Sequence, residues 1–510
     1  MNWNELYELL PVGVVLGTAL VVVFLDLALP KKERYVLSMV AMGGCLLALG
    51  ALAETYLSIA AYYKSTPPWF AAAGSAPSGG FNPFILGGAF VIDGFGLAVS
   101  VVALLAGALS ILSSAHEDLD SNLTSGEFYG LILLGVSGMM LLGLSHEFLT
   151  LLVSLEIMSI STYILAGARR DTPGAEAALK YLVLGAFSTA FLMMGIAFFY
   201  GATGGFSLAP ASLKVLEQIP SSGYLLRGAL GLLLVGALFK VGAAPFHFWI
   251  PDVYQGAPSG VTGLMATGVK AAAFAVLGRL AFETFGLTYS YDWCWVFAAA
   301  AVLTMAVGNF LALKQDNVKR MLAYSGIAHT GYLLLAFLVS RNTTEAEAAE
   351  QLQNAAFYLL AYGVITLGAF GVVGLVREDG RRLETFDDFA GLAKEHPALA
   401  LCMACFMFSL AGLPPFAGFF AKFLVFRSAI DAGYVLPAVL GILTSVASLY
   451  YYLRVVRAMY LDPVRPAALG QEPVPARCRY AWTSNLVIYG AGLVTLVLGM
   501  LPQWLTGLVW

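Results

Sequence analysis

The sequence predicts an all-α polytopic membrane protein of about fourteen transmembrane helices, organised around two inverted five-helix repeats. Three observations carry that prediction. The 510 residues are 59% hydrophobic and 11% charged, where a soluble globular protein carries about 25% charged residues. Apolar runs of about 20 residues, long enough to cross a bilayer, recur along the whole chain. Two of these runs are interrupted by proline, at Pro245 in the seventh and at Pro414 and Pro415 in the twelfth.

In order, the runs fall near 11–29, 36–62, 83–113, 126–144, 147–168, 174–200, 223–250 and 257–285, then 293–313, 321–340, 354–376, 397–428, 434–460 and 482–508. The first lacks a basic leader and a small-residue cleavage site, so it reads as a retained helix. Basic residues set the orientation. Counted together with the run ends that border them, connections after odd-numbered runs hold 17 of the 27 Lys and Arg and those after even-numbered runs hold 4, and the other 6 lie within runs. Odd connections are therefore expected on the cytoplasmic side, with both termini outside.

The two prolines lie five helices apart. An odd number of helices between equivalent units reverses their direction in the membrane. The expected division is residues 1–125 (helices 1–3), 126–286 (first repeat, helices 4–8), 287–460 (second repeat, helices 9–13) and 461–510 (a cytoplasmic loop and helix 14). Helices 7 and 12 should be broken. The Ser-, Pro- and Gly-rich stretch 63–82 reads as a flexible outer connection. The mixed-charge segments 377–396 and 461–480 read as solvated loops or as contacts with neighbouring subunits.

Several function classes are excluded. A net charge of −4 gives no nucleic-acid signal. Five scattered cysteines suit neither a disulfide framework nor a metal site, and Cys402 and Cys405 lie in an apolar run as small filler. No phosphate loop, dinucleotide fingerprint or haem motif is present, so no cofactor is expected in this chain.

What the chain does carry is charge inside its apolar runs. Lys240, Lys270 and Lys422 sit within the seventh, eighth and twelfth runs, and Glu156 lies midway along the fifth. Each cation near a bilayer centre costs about 2.5–3.5 kcal/mol on insertion scales. Desolvation disfavours a charged lysine and a nearby carboxylate favours it, so a lysine between the two can load and release a proton. Glu156, too short to snorkel, should be protonated or paired, with Lys240 its candidate partner. The alternative for each is a structural ion pair. Lys180 lies about 9 Å into its helix, where snorkelling competes with a relay role. Lys422 falls about 12 Å beyond Pro414, as a terminal donor or a snorkelling side chain. His247 follows the first break, where irregular backbone is expected to line a cavity, and His329 is mid-helix. Either could handle protons or serve as a packing residue, and His329 could bridge Lys270 to Lys422. Asp26, Glu54, Asp93 and Glu147 fall near helix ends and are expected to be capped or solvated, and Asp252 to cap the eighth helix.

Longer motifs then become readable. Phe239-Lys240-Val241-Gly242-Ala243-Ala244-Pro245-Phe246-His247-Phe248-Trp249-Ile250-Pro251-Asp252-Val253-Tyr254-Gln255-Gly256-Ala257-Pro258 resembles the subunit N family of bacterial NADH–quinone oxidoreductases. So do Lys180-Tyr181-Leu182-Val183-Leu184-Gly185-Ala186-Phe187-Ser188, Lys319-Arg320-Met321-Leu322-Ala323-Tyr324-Ser325 and Gly412-Leu413-Pro414-Pro415-Phe416-Ala417-Gly418-Phe419-Phe420-Ala421-Lys422. The sister subunits M and L usually differ within the first motif. Gln255 and Gly326 depart from the glutamate and serine often found in the family, outside the expected relay.

The resemblance implies an antiporter-like, proton-pumping subunit of the membrane arm of respiratory complex I, in a bacterial inner membrane. Its relay residues would be Glu156, Lys180, Lys240, Lys270 and Lys422. Its partners would be the other membrane-arm subunits, including subunits M and K, together with the lipid bilayer. FMN, iron–sulfur clusters and quinone would belong to partner subunits. The implied sequence of events has quinone reduction elsewhere perturbing Glu156 and Lys240. A proton entering by Lys240 and His247 then reaches Lys270 and leaves through Lys422. The alternatives are an Mrp-type cation/proton antiporter, a non-pumping structural subunit, and a ferredoxin-driven relative.

Overall fold

The computed structural model describes residues 7–30, 33–63, 83–115, 125–208, 220–284, 286–340, 343–378, 381–463, 478 and 482–500. With no water to bond a free N–H or C=O in hydrocarbon, apolar runs of this length close their backbone bonds as helices. In chain order these are α1 (Leu10–Ala28), α2 (Tyr35–Tyr63), α3 (Gly94–Ser114), α4 (Gly126–Leu144), α5 (Phe148–Ala166) and α6 (Thr172–Thr203). The seventh is split into α7a (Pro220–Val241) and α7b (Trp249–Gly256), and α8 spans Ser259–Thr284. Then come α9 (Gly286–Ala312), α10 (Val318–Leu334), α11 (Glu345–Leu375), α12a (Pro397–Ala411), α12b (Ala417–Asp431), α13 (Val435–Tyr460) and α14 (Trp482–Met500).

The all-α, polytopic reading holds. Among the described residues, 12 helices are long and apolar enough to cross a membrane. The 17 residues of α10 and the 15 residues of each arm of α12 fall short of a crossing when taken singly.

The third run is shorter than predicted. Its first part is a small antiparallel hairpin, Phe84–Ile85 with Phe90–Val91, turned by Gly87 and Gly88 at φ 72° and 92°. Asp93 then accepts from the Gly96 amide at 2.9 Å and caps α3. The segment 377–396 is also more ordered than a solvated loop. Phe386 and Phe389 are buried, and Glu384 O accepts from Val318 N at 2.7 Å, which ties this segment to the start of α10. The stretch 64–82 and nearly all of 461–480 lie outside the described residues.

The interior is built from α8 and α11, whose apolar windows are 100% and 94% buried, whereas α1 and α13 are 28% buried. Exposed Leu20, Phe24, Leu443 and Val446 give the periphery the apolar exterior that lipid or a neighbouring subunit requires. Two π-helical turns, Met265–Val269 and Leu280–Thr284, bracket the Lys270–Arg279 stretch of α8. Such turns cluster at functional positions because they rotate the side chains that follow and loosen the backbone ladder.

Both breaks occur, each in the fourth helix of its predicted repeat. At the first, Gly242 turns the chain at φ 76°. The freed groups find partners on α9 and α10: Ala244 N donates to Thr304 Oγ1 at 2.9 Å, and Thr330 Oγ1 donates to Val241 O at 3.1 Å. Trp249 Nε1 closes the gap by donating to Phe239 O at 3.3 Å. At the second, Gly412 turns at φ 84°, and the partners come from the broken helix itself. Ser409 Oγ accepts from Gly418 N at 3.0 Å, and Lys422 Nζ donates to Ala411 O at 3.2 Å.

Candidate functional site

One face of α5 presents Glu156, Ser159 and Tyr163, spaced three and four residues apart as a helical stripe requires. Across from it, Lys240 comes one residue before the end of α7a. Its ammonium donates to Ser159 Oγ at 3.1 Å and to Tyr163 Oη at 3.3 Å. Glu156 instead accepts from Thr189 Oγ1 of α6 at 2.8 Å. Among the described residues the expected Glu156–Lys240 pair is therefore not a direct ion pair; the two groups bond different hydroxyls. Tyr163 is held by an edge contact with Tyr181, which stacks on Trp249 at 4.7 Å just past the break.

Lys270 follows the π-helical turn of α8 and donates to Gly326 O of α10 at 2.6 Å, with its ammonium 5.2 Å from the centre of the Tyr362 ring. Lys422 donates to Ser445 Oγ at 2.8 Å as well as to Ala411 O, and lies 5.0 Å from the Tyr332 ring centre. Between them runs α10, which presents Gly326, His329 and Tyr332 at three-residue steps. His329 is buried, its Nδ1 2.6 Å from Tyr358 Oη and its Nε2 3.2 Å from Tyr452 Oη. Lys422 also borders a cavity of about 510 Å³ between α12b and α13.

The three lysines are 8%, 5% and 4% exposed, and their hydrogen bonds among the described residues are to neutral oxygens. Among the described residues, no carboxylate within salt-bridge distance pins any of them. That leaves both protonation states accessible at modest cost, which a paired lysine lacks.

Lys180 differs. Its side chain is 38% exposed and pairs with Glu176 at 2.7 Å and Asp252 at 2.6 Å. Asp252 also pairs with Arg320 at 2.8 Å, and Arg320 reaches Gln255 Oε1 at 2.9 Å. Asp252 thus joins α6, α7b and α10 rather than capping α8, whose first residue follows Pro258 without a side-chain cap. Beside this cluster lies a cavity of about 250 Å³ lined by Glu176, Asp252, Gln255 and Arg320. Lys319 is fully buried and donates to Ala257 O at 2.6 Å, fixing the connection from α7b to α8. His247 is partly exposed in the link between α7a and α7b, and no hydrogen bond among the described residues joins it to a lysine.

The sequence singles out the three buried lysines but not what they touch. Ser159 and Tyr163 carry no charge to draw notice, although their spacing from Glu156 marks them. Gly326, set aside as outside the relay, supplies the carbonyl that receives Lys270, and Gln255 contacts Arg320 and, at 3.4 Å through its carbonyl, Lys319.

With this geometry in place, comparison with known proteins is informative. Residues 145–448 match the family model for the transmembrane part of NADH:quinone oxidoreductases and Mrp antiporters. The chain is 45% identical over 374 residues to NADH-quinone oxidoreductase subunit N of Trichlorobacter lovleyi, covering 73% of this chain and 75% of that one. It superposes on a chain of respiratory complex I from Thermus thermophilus with TM-score 0.76 and 35% identity, covering 98% of each. A chain of the Mrp complex from Dietzia sp. gives TM-score 0.79 at 22% identity over 100% of this chain and 96% of that one, a likeness of fold alone. Fold does not separate the two groups, but sequence does. The chain belongs to the subunit N family of NADH–quinone oxidoreductases, the antiporter-like, proton-translocating membrane subunits of complex I.

Proposed function

We propose that Lys240, Lys270 and Lys422, with Glu156 at one end and His329 between the last two, carry protons through this chain while electron transfer to quinone takes place in partner subunits. The observation that supports this reading is the burial of three lysines on neutral oxygens alone. Moving one charge against 100 mV costs about 2.3 kcal/mol. A shift of less than two pKa units, at about 1.4 kcal/mol each, is of that size.

In this scheme residues 126–286 and 287–460 act as two half-channels meeting near the α10 ribbon. Entry is from the basic, cytoplasmic face, by the cavity beside Lys180 and Asp252, toward Lys240. Lys180 orders that entrance through its ion pairs, and His247 lies on the same broken helix as a secondary donor. Release is from Lys422 toward the cavity it borders. Both termini face outward. The complex that houses the chain supplies FMN, iron–sulfur clusters and quinone, and the chain's flanks dock on the neighbouring antiporter-like subunit M and the small subunit K.

The test is Lys240→Ala in the assembled complex in membrane vesicles. Proton translocation driven by NADH oxidation should fall while electron transfer to an artificial acceptor in the peripheral arm persists. Wild-type pumping by that variant overturns the reading. The fold likeness to an Mrp chain supports a second reading, direct cation/proton exchange. Sodium-dependent proton movement by the isolated chain in liposomes would favour it.

A further inference from the structure

A second set of buried ionisable groups lies at the other end of the molecule from the Lys180–Asp252 cluster. Arg279, near the end of α8, makes a two-toothed contact with Asp93 at the head of α3, Nη1 to Oδ2 at 2.6 Å and Nη2 to Oδ1 at 2.9 Å. Nη2 also donates to Gly143 O at 2.9 Å, and Nη1 donates to Glu283 Oε1 one helical turn on. Glu283 Oε2 in turn lies 3.0 Å from Nδ1 of His146, in the turn between α4 and α5. Side-chain exposure rises along this chain of groups, from 0% at Asp93 and 1% at Arg279 to 9% at Glu283 and 8% at His146.

Charge decides what such a cluster holds. Among the described residues, two carboxylates against one guanidinium leave a net charge of −1 when His146 is neutral. The positive end of α3 under Asp93 and the negative end of α8 under Glu283 offset one another. The Phe84–Val91 hairpin against His146, and the rings of Phe95, Phe282 and Phe337 around this end of α8, bring no charge. A buried, uncompensated negative charge is costly, so the cluster is balanced by retaining one proton between Glu283 and His146. Arg279 and Asp93 are locked in their two-toothed contact, and Arg279 also holds Glu283 and Gly143 O. The exchangeable proton is therefore confined to the outermost pair.

We infer that Glu283 and His146 form a proton-holding site at the outer end of the first five-helix repeat, a release point separate from Lys422. This rests on the proton-translocation reading. A proton arriving from the buried interior, where Lys270 lies thirteen residues inward on the same helix, is taken up at the Glu283 carboxylate. It passes from Oε2 to Nδ1 of His146, the imidazolium gives up its Nε2 proton to outer water, and a ring flip or water-assisted tautomer exchange then frees Nδ1 for the next proton. The cluster cycles between net charges of −1 and 0, and Arg279–Asp93 fixes Glu283 without exchanging a proton. The π-helical turn Leu280–Thr284 places Glu283 for both partners.

The test uses the assembled complex in sealed vesicles, with His146→Arg, Glu283→Gln and Lys240→Ala compared for protons moved per electron. His146→Arg keeps the balancing charge but has no proton to release. Glu283→Gln keeps the size and makes the cluster neutral without a proton. Both preserve what a purely structural clasp needs. The inference expects both variants to assemble and to fall to the proton-to-electron ratio of Lys240→Ala. Wild-type ratios in both, beside a lowered ratio in Lys240→Ala, overturn this inference and leave the parent reading standing. Failure of both variants to assemble also overturns it, because the cluster is then a structural clasp. A wild-type ratio in Lys240→Ala overturns the parent reading itself.

Discussion

Thr304→Val tests whether the second repeat holds the first repeat's helix open at its break. The Ala244 amide donates to Thr304 Oγ1 at 2.9 Å, and Pro245 beside it has no amide to share the load. Valine matches threonine in shape, so packing is nearly preserved while the acceptor disappears. Interhelical side-chain hydrogen bonds in membranes average about 0.6 kcal/mol by double-mutant cycles and reach about 1.7. At about 1.4 kcal/mol per tenfold, that range corresponds to roughly 3- to 20-fold faster opening at the break. Hydrogen–deuterium exchange of the intact complex, read on peptides covering Gly242–Ile250, measures it directly. The Gly242 amide is an internal control, because it donates to Phe239 O at 3.0 Å within its own helix end and should change little. Unchanged exchange at Ala244 would show that the break is held by its own turn geometry and not by α9, and the argument for inter-repeat support would fall.

Three further outcomes follow from neighbouring contacts. Gly185→Ala places a Cβ where the Tyr163 hydroxyl now lies, so Tyr163 must move from Lys240; proton pumping should drop severalfold with assembly retained, measured as protons per electron. Gly326→Ala puts its Cβ 2.9 Å from Tyr362 Oη and 3.4 Å from Lys270 Nζ. Overpacking of this kind costs about 1–3 kcal/mol, visible as a lower midpoint for thermal dissociation of the complex. Asp252→Asn removes partners from Lys180 and Arg320 at a site one-third exposed, so the expected loss is only about 0.2–1 kcal/mol per pair. That loss should shrink as salt rises from about 0.05 to 0.5 M, seen by comparing thermal midpoints at the two ionic strengths.

How much of this was legible in the sequence depends on which physical term each residue reports. Lys240, Lys270 and Lys422 stand out because a cation in a long apolar run is expensive wherever the helix packs, so identity and position suffice. The breaks are legible for the same reason, since Pro245 and Pro414 forbid a continuous ladder. Partners are a different matter. Lys270 meets Gly326 across 56 residues of chain, through a backbone carbonyl that every residue possesses. No residue type announces that contact. Asp93 was correctly placed at a helix end, and it does cap α3, yet its pairing with Arg279 across 186 residues needs α3, α4 and α8 to converge. The same holds for Asp252, whose neighbours Lys180 and Arg320 come from helices on opposite sides of the repeat boundary.

The distribution of ion pairs carries one more consequence. At the basic face, Lys180 and Arg320 are pinned by Asp252; at the opposite end, Arg279 is pinned by Asp93 and Glu283. Removing one partner from the buried Arg279–Asp93 pair costs about 3–5 kcal/mol, so that guanidinium's charge is fixed by the fold, while the partly exposed Asp252 pairs are worth less. Between the two ends, Lys240, Lys270 and Lys422 are solvated by hydroxyls and carbonyls. Hydroxyls serve either state of an amine, donating to it when neutral and accepting from it when charged. Carbonyls hold the charged state while leaving its proton free to go. A chain selected only for rigidity would gain by placing carboxylates against these lysines or by replacing them with leucine. Their placement on neutral oxygens, with Glu156 bonded to Thr189 and not to Lys240, is what a path for mobile charge requires.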